Sequence, residues 1–523
     1  MTRIPPEILA YIFELYVARF GELTLDGVNP RGPFFLTQVC TLWKAVAESD
    51  PNLWTTIHFY FPESHTDRDD DVPRVEPLLD IHLQRSGALP ISFTFIDCRA
   101  YDLRTNDLIT SLVDRLRTHA QRWKSISLQL SCGYFHLLYK FTPCDLPTLE
   151  HFCMNGDDRV GWGHRNRLCL DLDSATNLKS FAYGTTELQE DYINLRWENL
   201  TEVSFAFSSR VQGAGRTLYH QMRHLAKCQN ITTCSLGIED GIRPRLDGIQ
   251  TITLPCLHTL RVRRLSQAPD AYADSVINPL VLPQLHTLEL DASNLVITDQ
   301  QWHNHTFPDL LARSGCSLLH LSIQDIDFPN DDVIRCLELS PALMSLCFIP
   351  CPRSQEIIDV IQRLDSGHTS AGGRSRSRRS RAVFGPLVPQ LREIALGSSV
   401  KEYLDSMLAM FHSRAGTTAR AAGVALLRRA EVVFFDLWHD RDAQQSLGCV
   451  PGDRLERVAT FRTQLAQWVS ENGNEKGQES GDEDRLEGLV AVDSLYLPQY
   501  IDVQYGSHQI SPRLITRLLE PIC

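Results

Sequence analysis

Leu282-Pro283-Gln284-Leu285-His286-Thr287-Leu288-Glu289-Leu290 closes on an alternation that places Leu288 and Leu290 on one face of a strand and Glu289 on the other. Pro283 ahead of it marks a turn into the strand. The same wording returns at Leu146-Pro147-Thr148-Leu149, Leu254-Pro255-Cys256-Leu257 and Val388-Pro389-Gln390-Leu391. The pattern L-x-x-L-x-L itself, with an apolar residue at each marked place, recurs at Trp123-Ile126-Leu128, Leu149-Phe152-Met154, Leu178-Phe181-Tyr183, Leu200-Val203-Phe205, Ile231-Cys234-Leu236, Leu257-Leu260-Val262, Leu285-Leu288-Leu290, Leu318-Leu321-Ile323, Leu343-Leu346-Phe348 and Leu391-Ile394-Leu396. Copies start 22 to 33 residues apart, except for a step of 48 between Leu343 and Leu391. One such strand cannot bury its apolar face alone, so the copies must stack and cover one another.

Between the strands lie stretches with helical spacing: Leu108-Leu112-Leu116-Ala120, Leu218-Met222-Leu225, Val333-Ile334-Leu337 and Ile357-Ile358-Ile361-Leu364. Strand, turn, helix and return predict an α/β array of parallel strands on a concave side with helices on the convex side. The residues between the marked apolar ones then face outward, among them Arg261, Arg263, Glu289, Asp291, His320 and Gln324. Basic positions of one copy lie beside acidic positions of the next. Two readings stand side by side: surface ion pairs, each worth under about 1 kcal/mol, or a weak site for a polar or mixed-charge protein segment.

The N-terminus has a different pattern. In Ile4-Pro5-Pro6-Glu7-Ile8-Leu9-Ala10-Tyr11-Ile12-Phe13 the prolines are tolerated only at or before the first helical turn, and Glu7 sits well against the helix dipole. A helix opening near Pro6 with so many apolar residues needs burial on more than one side. After a loop from Gly21 to Pro33, Leu36, Val39, Cys40, Trp43 and Val46 or Ala47 fall on one helical face. Asp50-Pro51 ends that segment, and Leu53, Trp54 and Ile57 close the unit.

The order Ile4-Pro5-Pro6-Glu7-Ile8-Leu9, Ile12-Phe13, Leu36, Val39-Cys40, Trp43, Pro51, Leu53-Trp54 and Ile57 resembles the F-box, and the repeats after it resemble the leucine-rich repeat family, whose period is about 20 to 29 residues. Together they resemble F-box proteins with C-terminal leucine-rich repeats. The resemblance implies a substrate receptor of an SCF-type ubiquitin ligase. Ile4, Pro5, Pro6, Ile8, Leu9, Ile12, Phe13, Val39, Cys40 and Trp43 would contact a Skp-type adaptor and, through it, a cullin. The repeats would hold an unknown target protein. The alternative is a repeat scaffold whose N-terminal helices only cap the array. Two departures stand out: the loop from Gly21 to Pro33 is long for an F-box, and the family's Asn or Cys three residues after the third apolar position is present only as Cys351. An irregular horseshoe is therefore expected.

These readings divide the chain into an F-box-like helical domain over 1–60, a linker and entry helix over 61–88, and a repeat array over 89–523 with disordered insertions at about 367–385 and 471–485. The first insertion contains Arg374-Ser375-Arg376-Ser377-Arg378-Arg379-Ser380-Arg381 and the second is acidic.

Hydrophobic residues make up 43% of the 523 positions and charged residues 22%, a globular profile. A formal net charge of −13 argues against general nucleic-acid binding. Fifteen cysteines without a CxxC pair point to free thiols in a reducing, intracellular setting, cytoplasmic or nuclear. No apolar run is long enough to cross a membrane. No P-loop, GxSxG or strand-borne GxGxxG occurs, and His220 with His224 lacks the glutamate of a zincin, so neither catalysis nor a cofactor nor a metal is expected. His303 and His305 have no third ligand nearby.

Overall fold

The structure, a computed structural model, describes residues 4–20, 22–24, 32–61, 72–97, 103–131, 145–157, 170–184, 193–205, 214–238, 250–264, 276–291, 306–324, 326, 329–349, 357–365, 387–398, 402–414, 419, 422–427, 429–434 and 490–492. The insertions at 367–385 and 471–485, the helix expected from Leu455 to Trp468, and His303 and His305 lie outside these residues. So does most of the charged loop from Pro62 to Arg74.

Helix α1 (Pro6–Phe20) opens at the second proline, and the N–H of Leu9 closes the first turn on the carbonyl of Pro5 at 3.0 Å. A short strand β1 (Glu22–Thr24) follows it. The segment expected as one helical face from Leu36 to Ala47 is two helices, α2 (Pro33–Val39) and α3 (Thr41–Ser49). Cys40 breaks it: its backbone is extended (φ −161°, ψ 170°), and its Sγ accepts a hydrogen bond from the N–H of Trp43 at 3.5 Å as the cap of α3. A thiol in the role of Ser or Asp at that position gives no sequence warning. Asp50 caps the 3₁₀ turn Pro51–Trp54 through the N–H of Asn52. Leu9, Phe13, Leu36, Val46, Ala47, Leu53 and Trp54 form the core of this helical unit.

After strand β2 (Thr56–Phe61), helix α4 (Val72–Arg85) and strand β3 (Ile91–Asp97) begin a regular alternation. Gly87 stops α4 with φ 58°, a conformation that L side chains rarely adopt. Helix α5 (Leu103–Arg117) leads to β4 (Trp123–Ser131), β5 (His151–Asp157), β6 (Leu170–Asp171), β7 (Ser180–Gly184), β8 (Ile193–Asn194) and β9 (Glu202–Phe205). Helix α6 (Ala214–Lys227) precedes β10 (Thr233–Ile238), β11 (Ile252–Thr253), β12 (Thr259–Arg264), β13 (Leu280–Val281) and β14 (Thr287–Asp291). The helices Thr306–Ser314, Asn330–Glu338, Ile357–Leu364 and Glu402–Ser413 then alternate with β15 (His320–Gln324), β16 (Ser345–Ile349), β17 (Glu393–Ser398) and β18 (Arg429–Phe434), and β19 (Val490–Val492) closes the series.

Among the described residues, 15 strands form one sheet in the order β1-β2-β3-β4-β5-β7-β9-β10-β12-β14-β15-β16-β17-β18-β19. Every pairing is parallel, and the order follows the chain, as stacking of successive units requires. The register joins the repeated positions directly. Ile126, Phe152, Phe181, Val203, Cys234, Leu260, Leu288, Leu321, Leu346 and Ile394 lie opposite one another from strand to strand. A second row runs from Leu128 through Leu290 to Leu396. A slip of one residue would turn the whole row outward, so burial fixes the pairing. Both rows pack on helix residues such as Leu112, Leu116, Met222, Leu225, Leu310, Leu337, Ile361 and Phe411 in one continuous core.

The sheet starts earlier than residue 89. Ile57 and Phe59 on β2 stand opposite Phe93 and Phe95 on β3, and β1 pairs with β2 from inside the long loop of the helical unit. The expected boundary at 60 is therefore bridged by backbone hydrogen bonds.

Among the described residues, side-chain ties between successive units stand ahead of several strands. The Thr148 hydroxyl donates to the carbonyl of Gln121 (2.9 Å), and the side-chain amides of Asn177, Asn199 and Asn230 donate to the carbonyls of Pro147 (2.6 Å), Thr176 (3.4 Å) and Glu198 (2.7 Å). Each donor directly precedes the first apolar residue of its own copy, and each acceptor lies two residues before that of the preceding copy. Further along, arginines take over. Arg313 Nε donates to Leu280 O (2.8 Å), and the buried Arg414 donates to Leu364 O, Val388 O and Leu387 O at 2.8, 3.2 and 2.6 Å. Burial lowers the Arg414 pKa to about 10, which leaves it charged at neutral pH.

Candidate interaction surfaces

Helix α1 carries two apolar stripes side by side. Leu9 and Phe13, with Tyr16 and Val17 at their edge, point into the helical unit. Ile8, Tyr11, Ile12 and Leu15, spaced by three and four, stay exposed, as does Ile4 just ahead of the helix. Tyr16 stacks on Phe35 of α2 with centroids 6.2 Å apart, and Phe35, Val39 and Leu42 extend the exposed apolar surface across α2 and the start of α3. Apart from Leu339, these are the only large apolar side chains left exposed among the described residues. Fully burying one of them is worth roughly 1.5 to 3 kcal/mol, so the patch favours a covering partner.

The adaptor-facing set from the sequence thus separates. Ile4, Pro5, Pro6, Ile8, Ile12, Val39 and Cys40 are exposed. Leu9 (4% exposed) and Phe13 (1%) are interior, where they hold the three helices together. Trp43 is half-buried against Phe13. Tyr11, Leu15, Phe35 and Leu42 join the surface, and the only signal for them in the sequence is that α1 is apolar on two faces.

This unit is fastened to the array. Trp54 donates through Nε1 to Ala47 O at 2.8 Å, and its ring meets Phe34 and His82 edge to face at 5.1 Å each. Arg85 lies 4.4 Å over the same indole and pairs with Glu48 at 2.7 Å. His82 is wholly buried on α4, with Nδ1 3.2 Å from Trp54 O, and burial pushes its pKa down to about 4. The ring is therefore neutral, and Nδ1 carries the proton that Trp54 O accepts.

On the sheet face opposite the helices, Arg261 meets Glu289 at 2.8 Å and Arg263 meets Asp291 at 3.2 Å, each pair one strand apart. Farther along, His320 and Gln324 flank Ser322 on β15, and the Gln324 amide donates to Ser322 Oγ at 2.8 Å. On β16 and β17 the outward residues include the small Ser345, Cys347 and Ala395 beside Ile349 and Glu393. Ser345, Cys347 and Ala395 are buried, and Cys347, Ile349 and Ala395 form a minor apolar cluster separate from the main core. A cleft there is lined by Thr287, Glu289, His320, Ser322, Ser345, Cys347 and Ala395. Burial lowers the pKa of His320, opposed by Glu393 and Glu289.

The other histidine candidate changes character. His224, four residues after His220, is buried and stacks on Trp197 with centroids 4.1 Å apart, because α6 turns that face toward the 3₁₀ turn Trp197–Asn199. Among the described residues no group of three or more His, Cys, Asp or Glu is arranged to hold a metal ion. Burial pushes the Cys228 thiol up to about 12 and those of Cys234 and Cys336 higher still, so these sulfurs stay protonated and unreactive. No described helix is long and apolar enough to cross a membrane. No family model matches the chain, and no curated protein matches it.

Proposed function

We propose that this chain is the substrate-recognition subunit of an SCF-type ubiquitin ligase. The N-terminal helical unit is an F-box that docks on a Skp-type adaptor and so on a cullin. The array is a leucine-rich repeat domain that holds a target protein. The observation that carries the reading is the confinement of exposed large apolar side chains to residues 4–42, with Leu339 the exception among the described residues. These belong to the segment that resembles the F-box in sequence. The chain does no chemistry in this role; it raises the local concentration of a target beside the transfer machinery.

The fastening of the helical unit through Trp54, His82 and the β1–β2 pairing supports the same reading, since a target held on the sheet then keeps a fixed place relative to the adaptor. The test is retention by an immobilised Skp-type adaptor of the wild type and of an Ile8→Glu, Ile12→Glu, Val39→Glu variant. Retention of the wild type and loss by an equally folded variant support the proposal. A folded wild type that is not retained favours a repeat scaffold with a helical cap.

A further inference from the structure

The chain holds seven lysines against 44 arginines, although lysine is among the commonest residues of globular proteins. The lysines are unevenly placed. Between Lys227 and Lys401 lie 173 residues with 15 arginines and no lysine. That stretch carries six neighbouring strands of the sheet, from β10 to β17, and the helices Thr306–Ser314, Asn330–Glu338 and Ile357–Leu364. Ahead of it Lys124, Lys179 and Lys227 stand exposed on β4, just before β7 and at the end of α6, so the repeat fold tolerates the residue.

Packing does not account for the gap. Arg313, whose guanidinium reaches the carbonyls of both Leu280 and Ile277, needs its fork. The exposed arginines do not. Arg261 and Arg263 each meet one carboxylate through Nε, and Arg335 approaches Asp309 only to 3.8 Å. Exposed pairs of this kind stabilise little with either cation. What separates the two side chains is reactivity. A lysine amine that has given one proton to water has a lone pair that attacks a thioester carbonyl: the N–C bond forms, the C–S bond breaks, and a second proton leaves with the sulfur as a thiol. The exchange is redox-neutral. A guanidinium stays protonated and offers no such lone pair.

We propose that residues 228–400 are the part of the array within reach of the enzyme that carries ubiquitin as a thioester, and that arginine replaces lysine there so that the receptor is spared while its target is modified. The inference rests on the ligase reading. A receptor that raises the local concentration of a target beside that enzyme raises the concentration of its own amines as well.

The experiment assembles the full chain with adaptor, cullin and a ubiquitin-charged conjugating enzyme, without target. Attached ubiquitin is quantified on gels and located by mass spectrometry. Wild type is compared with an Arg261→Lys, Arg263→Lys variant on the sheet face and an Arg335→Lys variant on a helix. The control is Arg196→Lys, ahead of the stretch, where the side chain is 44% exposed against 47% for Arg335. All substitutions keep the charge, and melting temperature and adaptor retention are measured on each sample. At least one of the first two variants is expected to gain modification at its new lysine, at least ~10-fold over wild type, well within what tethering supplies; Arg196→Lys is expected to stay near wild type. If one of the two does not fold, the other decides. No gain in either, an equal gain in Arg196→Lys, or a wild type modified as heavily as the variants overturns the inference. Those results in an assembled complex leave the ligase reading standing, whereas a folded chain that does not assemble removes both.

Discussion

Phe13 on α1 and Trp43 on α3 meet edge to face with ring centroids 4.8 Å apart. That contact separates the structural stripe of α1 from the exposed one, for Ile12 beside Phe13 is 43% exposed while Phe13 is 1%. Phe13→Ala should cost about 3 to 5 kcal/mol through the cavity it leaves, and Ile12→Ala should stay within about 0.5 kcal/mol. Urea unfolding followed by tryptophan fluorescence measures both. Similar losses would mean that the two stripes are wrongly assigned.

His82 makes the junction between helical unit and array sensitive to acid. Its folded pKa, about 4, lies below the ordinary 6.5, so the neutral form is the one the native state holds. The stabilisation is complete above pH 6.5 and is lost as pH falls toward 4, by up to about 3 kcal/mol. Thermal melts of wild type and His82→Gln over that window should show a steeper decline for the wild type. Parallel slopes would rule out this histidine as the source.

Arg261 and Glu289 are 48% and 20% exposed, and their 2.8 Å contact should be worth little. A double-mutant cycle with Arg261→Ala and Glu289→Ala should give a coupling under about 1 kcal/mol. A coupling of several kcal/mol would show that the pair is a structural tie rather than a surface feature open to a ligand.

Asn230, donating to Glu198 O at 2.7 Å, ties one unit to the next. Asn230→Ala should lose about 0.5 to 1.5 kcal/mol, and faster amide exchange should appear in β9 and β10 on either side of the tie. Exchange unchanged in both strands would mean that backbone pairing alone carries the stacking.

Much of the array was legible because each strand repeats its own test: an apolar residue at Leu288 and Leu290 predicts the same at Leu321 and Ile323, and the register joins them. The polar ties were not legible. The leucine-rich repeat pattern places its Asn or Cys three residues past the third apolar position, whereas Asn177, Asn199 and Asn230 stand just before the first, where a lone Asn reads as a turn residue. At the N-terminus, composition indicated burial on more than one side of α1, but Leu9 and Ile8 are chemically alike. Only the packing of α2 and α3, set by the break at Cys40, decides which of them is interior. The cleft stayed hidden for a related reason: serine, cysteine and alanine on the outward face signal a depression only when flanked by longer neighbours on adjacent strands.

The exposed stripe of α1 and its continuation on α2 is the surface proposed to dock on a Skp-type adaptor. Retention on immobilised adaptor, with circular dichroism run on the same samples, tests it most directly. The account predicts that wild type is retained and that Ile8→Glu, Ile12→Glu, Val39→Glu lowers retention at least ~10-fold, since several buried apolar side chains each contribute more than 1 kcal/mol, with no change in the folded signal. A folded wild type that passes through unretained, or a variant retained as well as wild type, would contradict it.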